Sequence, residues 1–464
     1  MFVESVKQFM PILILLAVLT LVLSRLPKVN LGHSKAFEKR RMWNWLPLGL
    51  TYAFLYMGRY NLTVSKNAFG DLMSNQDFGQ IFAVGTFVYG CSFVINGPLT
   101  DKLGGRRAIL MAAIGAATAN FLMGLVTYFQ WTSDLVLKFS ILYAMNMYFQ
   151  SFGAVAIVKV NSSWFHVRER GTFGGIFGIL ISLGLYFAYD WGAMINKAFS
   201  LPFVFFIPTL ILILFFMISY AMVRNSPSEA GFDDFETGDE SHEKENGEPL
   251  SIAELAKKMF THPVILTIAL IEFCSGFLRN SIMNWYIIFS KQTGLMETFV
   301  PKHWGLMLCC AGILGGVFAG TISDKIFHSR RGPVSAVLYG IMFFGAISML
   351  FVIETPYMGW LMVLMSMSII GVHGMLSGTA SMDFGGKKNV GTAVGIIDGM
   401  VYLGTGAQSL YYGMTLPNGD DAKNPANWHA WPTAMIPVAL IGLVLAARLW
   451  NAKPAQKKAK SVTA

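Results

Sequence analysis

Charge is what this chain is short of: only 13% of its 464 residues are Asp, Glu, Lys or Arg, against 54% hydrophobic. A soluble domain needs a more polar coat. Cysteine is scarce as well. Cys91, Cys274, Cys309 and Cys310 all fall in apolar stretches, with neither CxxC nor Cys/His ligand spacing, which argues against disulfides and a metal site. No Gly-x-x-x-x-Gly-Lys-Ser/Thr loop is present for ATP. No nucleophile–base constellation emerges either, so an enzyme is not expected and no cofactor is implied. The net charge of +9 sits mainly in short loops and tails. That is the distribution of a membrane protein with positive loops inside, not of a nucleic-acid binder.

What is present is a succession of apolar runs of spanning length. Twelve spans are expected, at 44–66, 78–99, 107–129, 135–160, 171–194, 201–223, 263–289, 303–321, 333–353, 356–380, 390–413 and 432–450. A shorter apolar run at 9–24 lacks a convincing cleavage site and reads as an uncleaved extra helix or membrane anchor. The expected organisation is an N-terminal segment with a basic linker (1–42), six helices (43–223), a central loop (224–262), six helices (263–450) and a basic tail (451–464). The loop contains DDFETGDESHEKENGE, a composition suited to a solvated linker, followed by a potential surface helix, LSIAELAKKMF. Lys102, Arg106 and Arg107, Arg168 and Arg170, Lys325, Arg330 and Arg331, and Lys387 and Lys388 place the loops after spans 2, 4, 8 and 10 in the cytoplasm, with the central loop and the tail.

Against this apolar background two arginines stand out. Arg59 lies in TYAFLYMGRYNL of span 1, and Arg279 in IEFCSGFLRNSIMNWY of span 7. A mid-bilayer arginine costs about 2.5–3.5 kcal/mol on insertion scales and is functional by default. Two at corresponding places suggest an anion held between the halves; structural arginines tied to carbonyls or acids are the plainer alternative. Arginine presents a rigid fork of donors to a phosphate and keeps its proton.

The halves also share a loop motif. GPLTDKLGGRR (97–107) and GTISDKIFHSRRG (320–332) each carry Gly-x-x-x-Asp-Lys and then an arginine pair. Gly97 and Gly320 permit close helix approach. Asp101 and Asp324 can pair with arginines, Arg106 and Arg331 among them, or cap a helix, latching the cytoplasmic side.

Two six-span halves, an acidic central loop and this repeat resemble the major facilitator superfamily. More closely, the chain is similar to its organophosphate:phosphate antiporter family, which includes glycerol-3-phosphate and hexose-phosphate exchangers. The closer resemblance rests on Tyr52, Ala53, Tyr56, Arg59 and Asn61 in span 1; Trp164, Phe165, Glu169, Arg170 and Gly171 after span 4; and NSPSEAGF after span 6. Leu278, Arg279 and Trp285 in span 7 and KKNVGTAVG before span 11 complete it. The resemblance implies an all-α major facilitator fold with Arg59 and Arg279 as a phosphate clamp.

Around the clamp, Tyr52 and Tyr56 share a helix face with Arg59 and are candidates to bind phosphate or the organic portion, or to pack on neighbours. Asn61 would orient the clamp. Lys159 is either a vestibule cation or a snorkelling lysine. His373 is a candidate substrate contact or a satisfied packing histidine, and Glu272 and Asp398 are candidate coupling residues. Departures from the relatives are Phe93 for a lysine in span 2, Tyr60 for a basic residue, Gly276 for a tyrosine, and Ala154, Val155 and Ala156 for Trp-Pro-Pro.

The function expected is exchange of a phosphorylated small metabolite (glycerol-3-phosphate, sugar phosphate or phosphoglycerate class) for inorganic phosphate by alternating access, by a monomer in the inner or plasma membrane. A proton-coupled organic-anion carrier and a transporter-like sugar-phosphate sensor are the alternatives.

Overall fold

A computed structural model describes residues 31–166, 169–237, 261, 263–327 and 331–451, together with 17 and 20; within these, the side chains of 170–177, 264–265, 320–321, 323–325, 331 and 377–394 are not described. The apolar run at 9–24, most of the acidic loop and the basic tail therefore lie outside the described residues.

The described chain is built of helices. The first half contains α1 (Lys35–Phe69), α2 (Asn75–Leu103), α3 (Gly105–Tyr128), α4 (Leu135–Trp164), α5 (Arg170–Tyr186) and α6 (Phe203–Met222). A π turn, Phe187–Trp191, carries α5 on through Gly192–Ala198. The second half contains α7 (Pro263–Met283, continued by Trp285–Gln292), α8 (Trp304–Lys325), α9 (Arg331–Val352), α10 (Met358–Thr415) and α11 (Ala430–Arg448). Local chemistry sets several ends. Ser34 accepts the Phe37 amide at the start of α1, and Ser74 and Asp77 form a reciprocal capping box on α2. Gly104, at φ +83°, turns the chain from α2 into α3. Among the described residues, nine helices are long and apolar enough to cross a membrane by length and composition. α1 is not one of them, which follows from the polar groups it carries inward.

Spans 10 and 11 were expected as separate helices, whereas the backbone is helical from Met358 to Thr415. This helix cannot be straight. Its first limb places His373 against Glu272, while its second places Thr405 against the Gly276 carbonyl. Glu272 and Gly276 are one turn apart on α7, yet a straight helix would hold residues 373 and 405 about 48 Å apart. The chain therefore reverses between these contacts, and the two limbs occupy the places of two spans.

Backbone-to-backbone packing fixes the second limb. A Cβ at Gly276 would fall on the Val401 carbonyl, and one at Gly404 on the Phe273 carbonyl. Along α2, Gly79 faces Ser409 and Gly413, and Gly90 faces Gly399. Small residues let helices approach this closely. At Gly276 a neighbouring backbone fills the space that a side chain would take.

Hydrogen bonds joining the halves cluster at Arg59 and on its outer side. Thr63 and Tyr189 both donate to Asn284 Oδ1, at 3.0 and 2.6 Å. Asn75 meets Gln292, Pro417 and Asn418. Asp190, on the π turn, accepts from the amides of Gly305 (2.7 Å) and Leu306 (3.1 Å) and so caps α8 from the opposite half. An outer cavity beside this cap is lined by Asn67, Tyr189, Asp190, Asn196, Lys291 and Lys302 among others.

Replacing Gly276 by Tyr is expected to prevent packing of α7 against α10 and abolish recovery of monodisperse protein, as size-exclusion chromatography would show. Asp190→Asn should weaken outer closure by about 1 kcal/mol, the worth of a charge-assisted bond at a helix N-terminus. A cysteine placed at Ala68, beside the cavity, would then be labelled several-fold faster from outside than in the Asp190 protein.

Candidate functional site

The 3.6-residue period of α1 turns Tyr52, Tyr56 and Arg59 to one face, and that face points inward. Arg59 is 1% exposed. Its guanidinium donates from Nε to Gln150 Oε1 (3.0 Å), from Nη2 to the Tyr89 hydroxyl (2.6 Å) and from Nη1 to the Tyr402 hydroxyl (2.8 Å). Its charge lies 4.6 Å from the ring centres of both Tyr56 and Tyr89 and 5.6 Å from that of Tyr402. Aromatic faces attract a desolvated cation electrostatically, so this is a cage for a guanidinium that has no carboxylate partner among the described residues. Tyr52 packs edge-on against Tyr56, one step from the charge.

Gln150 is held in place by a ladder of amides. Gln150 and Asn120 both donate to Asn146 Oδ1, Asn146 donates to the Gly58 carbonyl, and Asn61 donates to Asn120. The ladder turns the Gln150 oxygen, rather than its NH₂, toward Arg59. Asn61 therefore faces the interior of the first half and reaches the arginine only through Asn120, Asn146 and Gln150.

Arg279 enters from α7. It is 9% exposed and lies 5.8 Å from the same Tyr402 ring. The two guanidinium groups can thus be no farther apart than the sum of their distances to that ring. Unlike Arg59, the Arg279 guanidinium makes no hydrogen bond among the described residues, so its fork of donors is available to an anion. The next residue, Asn280, bonds Asn284, the acceptor in the outer closure. α7 thereby links Arg279 to the hydrogen bonds that join the halves.

The other sequence candidates fall elsewhere. Lys159 is ion-paired with Asp101 at 2.9 Å, tying α4 to the end of α2 near the cytoplasmic face. Arg106 does not meet Asp101: its side chain donates to the Tyr220 carbonyl (2.7 Å), and its amide donates to Asn225. Gly97 is buried within α2. Glu169 pairs with Arg41 at 2.9 Å, and Trp164 donates to the Arg224 carbonyl, so the signature residues after span 4 brace the cytoplasmic ends. His373 and Glu272 join each other at 3.0 Å. Asp398 is buried one turn before Tyr402 on α10. The side chains of Gly320, Asp324 and Arg331 lie outside those described.

Three residues touching Arg59 escaped the sequence reading: Tyr89, Gln150 and Tyr402. Tyr89 had a signal, since it opens the Tyr-Gly-x-Ser stretch of span 2. Gln150 and Tyr402 had none beyond being polar groups in apolar helices. The place of the relatives' lysine is filled by Phe93, fully buried and stacked on Tyr402 with ring centres 5.8 Å apart. Tyr60 packs on Tyr56 and Tyr189.

Among curated proteins, the chain is 24% identical over 441 residues to the glycerol-3-phosphate transporter of Bacillus subtilis (strain 168), covering 90% of this chain and 94% of that protein. It is 24% identical over 451 residues to a probable hexose phosphate transport protein of Chlamydia trachomatis, covering 90% and 92%. It is 23% identical over 385 residues to the membrane sensor protein UhpC of Escherichia coli (strain K12), covering 77% and 82%. Among solved structures, a bacterial homolog of the human lysosomal transporter Spinster, inward-facing and unoccupied, superposes with TM-score 0.66 at 14% identity over 90% of this chain and 97% of that one. A D-xylose–proton symporter gives 0.61 at 15% identity, covering 88% and 97%. Residues 48–408 match the Major Facilitator Superfamily, and with that match across most of a helical membrane fold whose two halves meet at Arg59 and Tyr402, the chain belongs to that superfamily of transporters.

Proposed function

We propose that this protein exchanges a phosphorylated small metabolite for inorganic phosphate by alternating access, acting as a monomer in the inner or plasma membrane. The observation that carries the reading is the pair of buried arginines, one from each half, over a single tyrosine ring. Similarity to glycerol-3-phosphate and hexose phosphate transporters supports the phosphate class.

The two arginines contribute unequally. Arg279 offers an unfilled fork and receives the phosphoryl group first. Arg59 has three donor positions engaged, and the Tyr402 bond crosses to the other half. An anion that draws Tyr402 or Arg59 toward itself changes that inter-half bond, which links occupancy to rocking of the halves. Tyr52 and Tyr56 form an aromatic wall suited to the organic portion of the substrate. With Phe93 in place of a lysine, the site carries one cation fewer than its relatives, so a substrate with a single phosphoryl group fits its charge best. Asp101 with Lys159 contributes to the cytoplasmic brace rather than to binding, and Asp324 would act correspondingly in the second half. The sensor reading has support from the similarity to UhpC; a sensor would bind phosphate ester with negligible flux.

Arg279→Lys and Arg59→Lys should each lower phosphate counterflow at least tenfold in correctly inserted protein, because an ammonium loses one arm of a bidentate bond, about 1.5–3 kcal/mol. Near wild-type transport by both variants would sink the clamp. Proteoliposomes loaded with phosphate should accumulate labelled phosphate or glycerol-3-phosphate, and unloaded ones should not. Equal uptake without internal phosphate would replace exchange with uniport or symport.

A further inference from the structure

The interior of the second half holds a charge cluster that anion binding at Arg279 does not itself use. Glu272 lies two turns before Arg279 on α7, and its side chain is 0% exposed. Its Oε2 is 3.0 Å from His373 Nδ1 on the first limb of α10. The His373 side chain is 24% exposed. The pair therefore runs from a fully shielded carboxylate to a ring that reaches accessible space.

The groups around this pair come from each neighbouring helix. α7 supplies Arg279 and Cys274, and the second limb of α10 supplies Asp398. α9 supplies Tyr339, whose hydroxyl is committed to the Ile271 carbonyl at 2.6 Å. With Glu272 ionised and the histidine neutral, the Arg279 cation shares its helix with one buried carboxylate. A phosphate dianion brought to Arg279 adds negative charge near that carboxylate, where low polarisability magnifies the repulsion. Bringing an anion toward a buried carboxylate favours its protonated form, and the imidazole is positioned to pass the proton from water to it.

We propose that the Glu272–His373 pair takes up one proton when an anion binds at Arg279, so that anion and proton are loaded together. The proton comes from solvent, passes through the His373 ring and is held between Nδ1 and the Glu272 carboxylate; it leaves when the anion leaves. The inference rests on the reading of Arg279 as the anion receptor. It changes what exchange means for this chain: each anion carried in either direction brings a proton, so one-for-one exchange moves no net proton and the cycle is closer to electroneutral.

The test is calorimetric titration of the purified full-length protein in detergent with inorganic phosphate. It is run at about pH 8 to 9, where the free ligand is already the dianion, in two buffers of different ionisation enthalpy. The expected result is uptake of about one proton per phosphate bound in the wild type and loss of that uptake in Glu272→Gln, which still binds phosphate. His373→Asn should also lose it, and serves if the glutamine variant does not fold. Phosphate binding whose heat is the same in both buffers overturns the proposal and leaves the phosphate reading intact. Undiminished proton uptake in both variants also overturns it, by placing the proton elsewhere. Absence of phosphate binding by the wild type sinks the phosphate reading, and this inference with it.

Discussion

A guanidinium kept charged inside an apolar protein is the constraint on which the rest of the site depends. Arg59 cannot shed its proton and has no acid to neutralise it among the described residues, so the surroundings must replace water. Three hydrogen-bond acceptors and three aromatic faces do so. That replacement accounts for much of the polarity buried in the first half. Gln150 must present its oxygen, hence Asn146, Asn120 and Asn61 behind it. Tyr402 must come from the opposite half, hence the glycines that bring α10 against α2 and α7. A charge solvated partly by one half and partly by the other makes the relative position of the halves an electrostatic variable.

The second half solves a different problem with a similar residue. Among the described residues Arg279 is left with open donors, and the carboxylates of Glu272 and Asp398 stand on the same helix or the neighbouring limb. The two halves are thus alike in backbone and unlike in charge, the cation of one being solvated by neutral dipoles and that of the other lying among acids.

The cytoplasmic face shows how signature residues act at a distance from binding. Glu169 holds Arg41, Trp164 and Asn44 hold the exit of α6, and Asp101 holds Lys159. These contacts stay within the first half and stiffen it as one body. The hydrogen bonds at Asp190, Asn284 and Asn75 cross between the halves at the opposite end and close the seam there. Rigid bodies with a separable seam are what rocking about a central site requires.

Hydropathy and charge placement were enough to determine the helical membrane class, the division into halves and the two arginines, because a bilayer penalises polar groups one residue at a time and leaves that penalty visible in composition. The tyrosines of α1 were legible for the same reason, since helical period assigns a face without knowledge of any partner. Tertiary structure alone decided what each polar group meets. Lys159 read either as a vestibule cation or as a snorkelling lysine, and only packing of α4 on α2 gives it Asp101. Asn61 read as a neighbour of Arg59, yet it points into the amide ladder. Tyr402 is 343 residues from Arg59, and no local rule connects them. The pairing of Glu272 with His373 was decided in the same way. Partner choice inside a membrane protein depends on which helices touch and at what depth, and that is set by the close packing of small residues from distant segments rather than by any property of the residues themselves.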